Sequence, residues 1–230
     1  VSYKLYIGNK NYSTWSMRPW VAMKHFGIPF DEQLIRFDNF DDNSTFKATV
    51  SAISKYGTVP ILVDNDVVIS DSLAICEYLA EKHTNLALWP TDTKKRAIAR
   101  SLVAKMHSGF PAIRNHLPMN IEAELFEIGQ IILRDHADVK NEISHLDELL
   151  SSFLSLNSSQ SNYLFGEFTL ADAFYAPMCL RLKNFGIKTS ATLANYIDTI
   201  CQTNSIKEWI NGAMQEKDFI VMDEPYRLHR

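Results

Sequence analysis

The chain has 230 residues, 46% hydrophobic and 22% charged, which excludes a disordered, collagen-like or peptide-sized molecule and allows one large domain or two small ones. Its 23 basic and 27 acidic side chains leave a net charge of −4, so neither nucleic acid nor anionic lipid is an expected partner. No apolar run approaches the ~20 residues of a membrane span. The opening Val1-Ser2-Tyr3-Lys4-Leu5 lacks the basic segment and apolar core of a signal peptide, so a cytoplasmic location without membrane contact is expected.

Tyr3 to Ile7 alternates as a strand and stops at Gly8-Asn9. Ser13 to His25 carries apolar residues at helical intervals and ends before Gly27 and Pro29. Phe30 to Phe37 reads as a second strand, and Ser44 to Ile53 as a short helix that Gly57 closes. Val59 to Val63 and Val67 to Ile69, joined by Asp64-Asn65-Asp66, form a hairpin signal. Ser70-Asp71-Ser72 then caps a helix with the apolar face Leu73, Ile75, Cys76, Tyr78 and Leu79. This βαβαββα order predicts a mixed sheet with helices on its faces.

A polar stretch from Asn85 to Lys94 marks a boundary, giving domains over 1–84 and 95–230 with a linker over 85–94. The second domain reads as all helical: Thr93–Arg114, Glu122–Phe153, Thr169–Leu182, Ser190–Thr203 and Ser205–Met214. Ser155 to Asn162 is an expected loop, and Glu216 to Arg230 a polar tail without assigned structure. The fold class is α+β. Three widely spaced cysteines, Cys76, Cys179 and Cys201, without a neighbouring His cluster, indicate buried reduced thiols and no metal site.

Three short segments could carry chemistry. Ser13-Thr14-Trp15-Ser16-Met17-Arg18 brings hydroxyls to a helix start, where free N–H groups and the positive dipole end favour a thiolate or carboxylate. Val59-Pro60 opens a strand; the residues alone favour a trans bond, whereas a cis bond would let Val59 offer both N–H and C=O to an extended ligand. At Asp71-Ser72 a second helix start can hold a carboxylate while Asp71 attracts an ammonium, together the signature of a free amino-acid end. Each segment taken singly is also explained by ordinary capping or strand chemistry.

In combination they resemble the glutathione transferase superfamily, whose thioredoxin-like domain ends in V-P-x-L, a short strand and [E/D]-S, as in Val59-Pro60-Ile61-Leu62 and Asp71-Ser72. Gly166-Glu167-Phe168-Thr169-Leu170-Ala171-Asp172 resembles the family's G-x-x-[ST]-x-A-D capping signature, with Ala173 in place of a bulky staple partner beside Phe168. The first loop is similar to the serine-type S-S-x-S-x-R loop of the zeta group, with Thr14 departing.

The resemblance implies a thioredoxin-like domain followed by an all-α domain, glutathione as cosubstrate and a homodimer. Ser13 would donate to the glutathione sulfur; Ser16, Val59, Pro60, Asp71 and Ser72 would bind the tripeptide. Tyr12, Trp15, Met106, Phe110 and Arg114 would line the pocket of a small electrophile, with His107 a packing residue. The implied activity is transfer of the thiolate, with detoxification as its setting. A zeta-type cis-trans isomerase is the alternative, although zeta members that isomerise maleylacetoacetate usually carry Cys where Trp15 stands. The other class is a non-catalytic regulatory module, which would often lose the ligand-site residues kept here.

Overall fold

The computed structural model describes residues 3–39, 41–157 and 161–229. Residues 3–82 hold strands β1 (Tyr3–Ile7), β2 (Phe30–Leu34), β3 (Ile61–Asp64) and β4 (Val67–Ser70), with helices α1 (Thr14–His25), α2 (Thr45–Ile53) and α3 (Ser72–Lys82). The sheet order is β2-β1-β3-β4; β2 is parallel to β1, and the β1–β3 and β3–β4 pairs are antiparallel. The parallel pair requires a crossover, supplied by α1, and the antiparallel β3–β4 pair needs only the tight turn at Asn65, whose φ of 55° is the left-handed value that Asn tolerates. This is the predicted mixed thioredoxin-like arrangement.

Every later element is helical among the described residues: α4 (Thr93–Ser108), α5 (Pro111–His116), α6 (Phe126–Asp135), α7 (Ala137–Asn157), α8 (Leu170–Asn184), α9 (Ala191–Gln202) and α10 (Asn204–Gln215). No described helix is long and apolar enough to cross a membrane. Cys76, Cys179 and Cys201 are free and buried, as expected.

Several boundaries differ from the sequence reading. The helix expected over Thr93–Arg114 breaks at Gly109-Phe110, because Phe110 turns left-handed (φ 59°) and Pro111 starts a new helix where its missing N–H costs nothing. The helix expected from Glu122 starts at Phe126 and breaks at His136. Residues 120–125 are held in an irregular turn, with Glu122 N–H on Asn11 Oδ1 and Leu125 N–H on the Asn184 carbonyl. Gly129 permits α6 to cross α8 closely, since a Cβ there would lie 2.0 Å from the Phe185 carbonyl oxygen. The second strand ends at Leu34 and not Phe37, β1 having run out at Ile7. The expected loop at Ser155 is still helix through Asn157, while 158–160 lie outside the described residues. The polar tail folds back onto the first loop.

One apolar core runs through both parts. Leu5, Ile7, Met17, Val21 and Met23 from the sheet and α1 are continuous with Phe174, Met178 and Leu182 of α8 and with Trp209 of α10. α8 is buried along nearly its whole length, so its start must satisfy its own polar groups. Thr169 and Asp172 do this through a capping box. Asp172 accepts from Thr169 N–H at 2.8 Å, from Leu164 N–H at 3.1 Å and from the Tyr196 hydroxyl at 3.1 Å. Phe168 lacks its staple partner on α8 and instead stacks on His25 at the end of α1, 4.0 Å between ring centres.

Replacing Asp172 by Ala strips acceptors from four buried donors, the Thr169 hydroxyl included, and urea unfolding is expected to show a loss of about 2–4 kcal/mol. Burial pushes the Asp172 carboxyl up to about 6 against its hydrogen bonds. A raised carboxyl contributes stability that is full below its unfolded pKa near 3.8 and lost as pH rises through 6. Between pH 4 and 6, stability therefore climbs more steeply with pH in Asp172→Asn than in the wild type.

Candidate active site

Ser13 caps α1 just beyond the end of β1, where Ser16 N–H donates to its Oγ at 3.3 Å. Its own hydroxyl donates to Ser16 Oγ at 2.7 Å, and that oxygen also accepts from Gly8 N–H at 3.1 Å. Ser16 is fully buried with its oxygen engaged by Ser13 and Gly8, so it supports Ser13. No acidic residue stands in the first turn of α1, leaving the positive end of its dipole without a carboxylate partner.

Ser13 opens onto a cleft of about 460 Å³. From the first part come Thr14, Phe37, Phe46, Lys47, Gly57, Thr58 and Val59; from the helical part Arg114, Pro118, Met119 and Arg181, joined by Asp223 of the tail. Tyr12 and Trp15 of the first loop complete it. Val59–Pro60 is cis, correcting the trans bond favoured by the residues alone. Val59 lies outside the strand ladder, whose registered β1–β3 pairs begin at Ile61.

Asp71 and Ser72 stand at the start of α3, beyond the lining of this cleft. Asp71 has a φ of 85°, a conformation that costs a non-glycine residue of order 1–3 kcal/mol. Its Oδ1 accepts from Leu73 N–H at 2.8 Å and Ala74 N–H at 3.0 Å, and its Oδ2 lies 3.2 Å from His107 Nε2. Burial lowers the His107 pKa, with the Asp71 carboxylate opposing. His107 meets the Trp15 ring edge-on at 5.2 Å, linking Asp71 to the cleft wall. Ser72 is 1% exposed, and its hydroxyl has no hydrogen-bond partner.

The helical wall is cationic. Arg114 donates to the Met106 carbonyl and to the His107 carbonyl at 3.1 Å, while Arg181 donates to the Leu117 carbonyl and to the Arg114 carbonyl at 3.3 Å. Burial, then the charge of Arg114, lowers Arg181 to about 10. Arg18, on the buried side of α1, has its guanidinium 4.0 Å from the Trp15 ring centre and 5.0 Å from that of Phe174. Burial pushes Asp223 up to about 6, with Arg181 opposing.

Of the expected pocket residues, Tyr12, Trp15 and Arg114 line the cleft. Met106 and Phe110 do not; both are buried core residues, because the helical spacing that suggested a pocket stripe faces α8 and the helical interior. Tyr12 is also not free, since its hydroxyl donates to Glu224 and to the Asp218 carbonyl. Burial and the Glu224 bond raise its pKa further. Among the described residues, His116, His136 and Asp138 bring ligand atoms within 4.8 Å of one another, a grouping the sequence reading missed; none lines the cleft.

The sequence reading also missed Lys47, Arg181 and Asp223. Lys47 bears on the site only through tertiary folding, its Nζ 3.4 Å from the Gly57 carbonyl. Arg181 did carry a signal: it stands in the apolar run Tyr175-Ala176-Pro177-Met178-Cys179-Leu180-Arg181-Leu182, where a buried guanidinium needs a reason.

A family model described as glutathione S-transferase, N-terminal domain, matches residues 12–82. Glutathione S-transferase Z1 of Arabidopsis thaliana is 31% identical over 175 residues, covering 73% of this chain and 74% of the relative. A stringent starvation protein A homolog of Haemophilus ducreyi is 22% identical over 84% of this chain and 83% of its own length. A solved glutathione transferase homolog from Burkholderia, with bound glutathione, shares the fold with a TM-score of 0.63 at 22% identity, over 94% of this chain and 100% of that one. With the thioredoxin-like sheet, the helical part and the capping box in place, the chain belongs to the glutathione S-transferase superfamily.

Proposed function

We propose that this chain is a glutathione transferase that adds the glutathione thiolate to a small electrophile. The observation that carries the reading is the buried, unpartnered hydroxyl of Ser72 at the start of α3. Leaving such a group unsatisfied costs about 1–3 kcal/mol, which a carboxylate regains by accepting from it, at the positive end of the α3 dipole. Asp71 beside it suits the ammonium of the same amino-acid end. Val59 would pair with the cysteinyl backbone, and Lys47 would meet the glycyl carboxylate from across the cleft.

Ser13 would then face the sulfur. Ser16 N–H already donates to Ser13 Oγ, and rotation of the two hydroxyls lets Ser16 donate to Ser13 while Ser13 donates to the thiolate. Lowering a thiol from ~8.5 by one to two units needs roughly 1.4–2.7 kcal/mol of preferential stabilisation, within reach of one charge-assisted hydrogen bond and a helix N-terminus. The thiol proton leaves to solvent and the sulfur lone pair forms the new C–S bond. A displaced group departs with its bonding electrons; where the electrophile is an alkene, the carbanion takes a proton from water. A cytoplasmic homodimer is the setting this reading implies. The competing reading, a non-catalytic module, draws on the likeness to the stringent starvation protein A homolog.

Calorimetric titration with glutathione separates them. Wild type is expected to bind, and Ser72→Ala to bind at least tenfold more weakly while its melting temperature stays level or rises, because only an unpartnered group is lost. Folded wild type that ignores millimolar glutathione would move the assignment to the non-catalytic module. Given binding, Ser13→Ala should lower kcat/KM with a reactive aryl halide by about 10²-fold with little change in glutathione affinity.

A further inference from the structure

We infer that the electrophile carries a carboxylate or similar anionic group, held by Arg114 and Arg181 on the helical wall of the cleft. This rests on the reading that glutathione occupies the Ser13, Val59 and Ser72 side. A neutral electrophile pocket would need only apolar walls, which Trp15, Pro118 and Met119 already provide. Instead, two guanidinium groups from different helices converge on the space.

Neither Arg114 nor Arg181 forms an ion pair among the described residues, nor does Arg18 behind them, whereas Arg100 and Arg227 do. Arg18 is 1% exposed with Nε and Nη1 unpartnered, and the Arg114 Nε is likewise buried without a partner. Arg18 and Arg114 both lie within 5 Å of the centre of the Trp15 ring, at 4.0 and 4.8 Å. Burying mutually repelling cations without a directly paired carboxylate is unfavourable, and an entering anion relieves the imbalance.

The carboxylates of the protein offset this charge only in part, and none of them pairs with these guanidinium groups among the described residues. Glu142 accepts from Ile113 N–H at 2.9 Å, and Asp71 is held at the α3 cap beside His107. Asp223 reaches the cleft with its carboxyl pushed up to about 6; ionised above that pH, it sets one negative charge against Arg18, Arg114 and Arg181. Glutathione has its own cationic partner in Lys47 on the opposite wall, so the helical arginines are in excess of what the tripeptide needs. Each is fixed by one nitrogen on backbone carbonyls, which holds the guanidinium in place and leaves its other terminal nitrogen to donate to an anion.

The test compares two unreactive conjugates, S-benzylglutathione and S-(4-carboxybenzyl)glutathione, by calorimetry at pH 7.5. Wild type is expected to bind the carboxylated conjugate at least tenfold more tightly. In Arg114→Gln that advantage should fall towards unity while S-benzylglutathione binds as before. Equal binding of the two by wild type, or tighter binding of the neutral one, would overturn the inference without any variant. A loss of both conjugates and of glutathione itself in folded Arg114→Gln would also overturn it, assigning the arginines to the tripeptide. If wild type binds neither conjugate nor glutathione, the proposed function fails and this inference falls with it.

Discussion

The packing of α1 against α8 is the constraint on which the site depends. α1 follows the inner strand β1 and buries Met17, Trp20, Val21 and Met23, and α8 supplies the largely apolar surface it needs on the helical side. Burial of side chains this size contributes about 1.5–3 kcal/mol each, so the crossing is fixed firmly. Its geometry leaves the N-terminal end of α1 at the junction of the two parts, with Ser13 exposed to a cleft and Ser16 locked behind it. The capping box at Asp172 is therefore remote from the chemistry yet necessary to it, since it sets where α8 begins. Phe168 ties the far end of α1 to the same corner by stacking on His25.

The tail closes the arrangement. Trp209 of α10 donates to the Lys10 carbonyl, Asn9 donates to Asp218, and Tyr12 donates to Glu224, whose side chain is fully buried and paired with Arg227. The loop before α1 is thus gripped from behind by the last residues described. That grip gives Tyr12 a structural task and leaves Ser13, with Thr14 beside it, on the wall of the cleft. A protein of net charge −4 also concentrates Arg114, Arg181 and Lys47 around one cavity, an asymmetry that overall charge conceals.

Features legible in the sequence were those written in local chemistry. Ser13, Ser44 and Asp71 cap helices because a short oxygen-bearing side chain can reach the first-turn N–H groups, and each does so. Strand alternation in Tyr3–Ile7 and the Asn65 turn were equally local. What escaped depends on long-range packing. The break at Gly109-Phe110 looks like helix by periodicity, and only the turn of Phe110 and the new start at Pro111 reveal it. Met106 and Phe110 have the spacing of a pocket stripe, yet spacing does not say which neighbour a face meets. Arg181, Lys47 and Asp223 come from three remote segments, and no single window of sequence could join them.

The central claim is that the Ser13 end of α1 stabilises a thiolate. Its most direct measurement is a pH titration of the ultraviolet thiolate absorbance of glutathione bound to saturated protein. The account predicts half-ionisation at least one unit below the free thiol value of ~8.5. A bound thiol that ionises at or above the free value would contradict it.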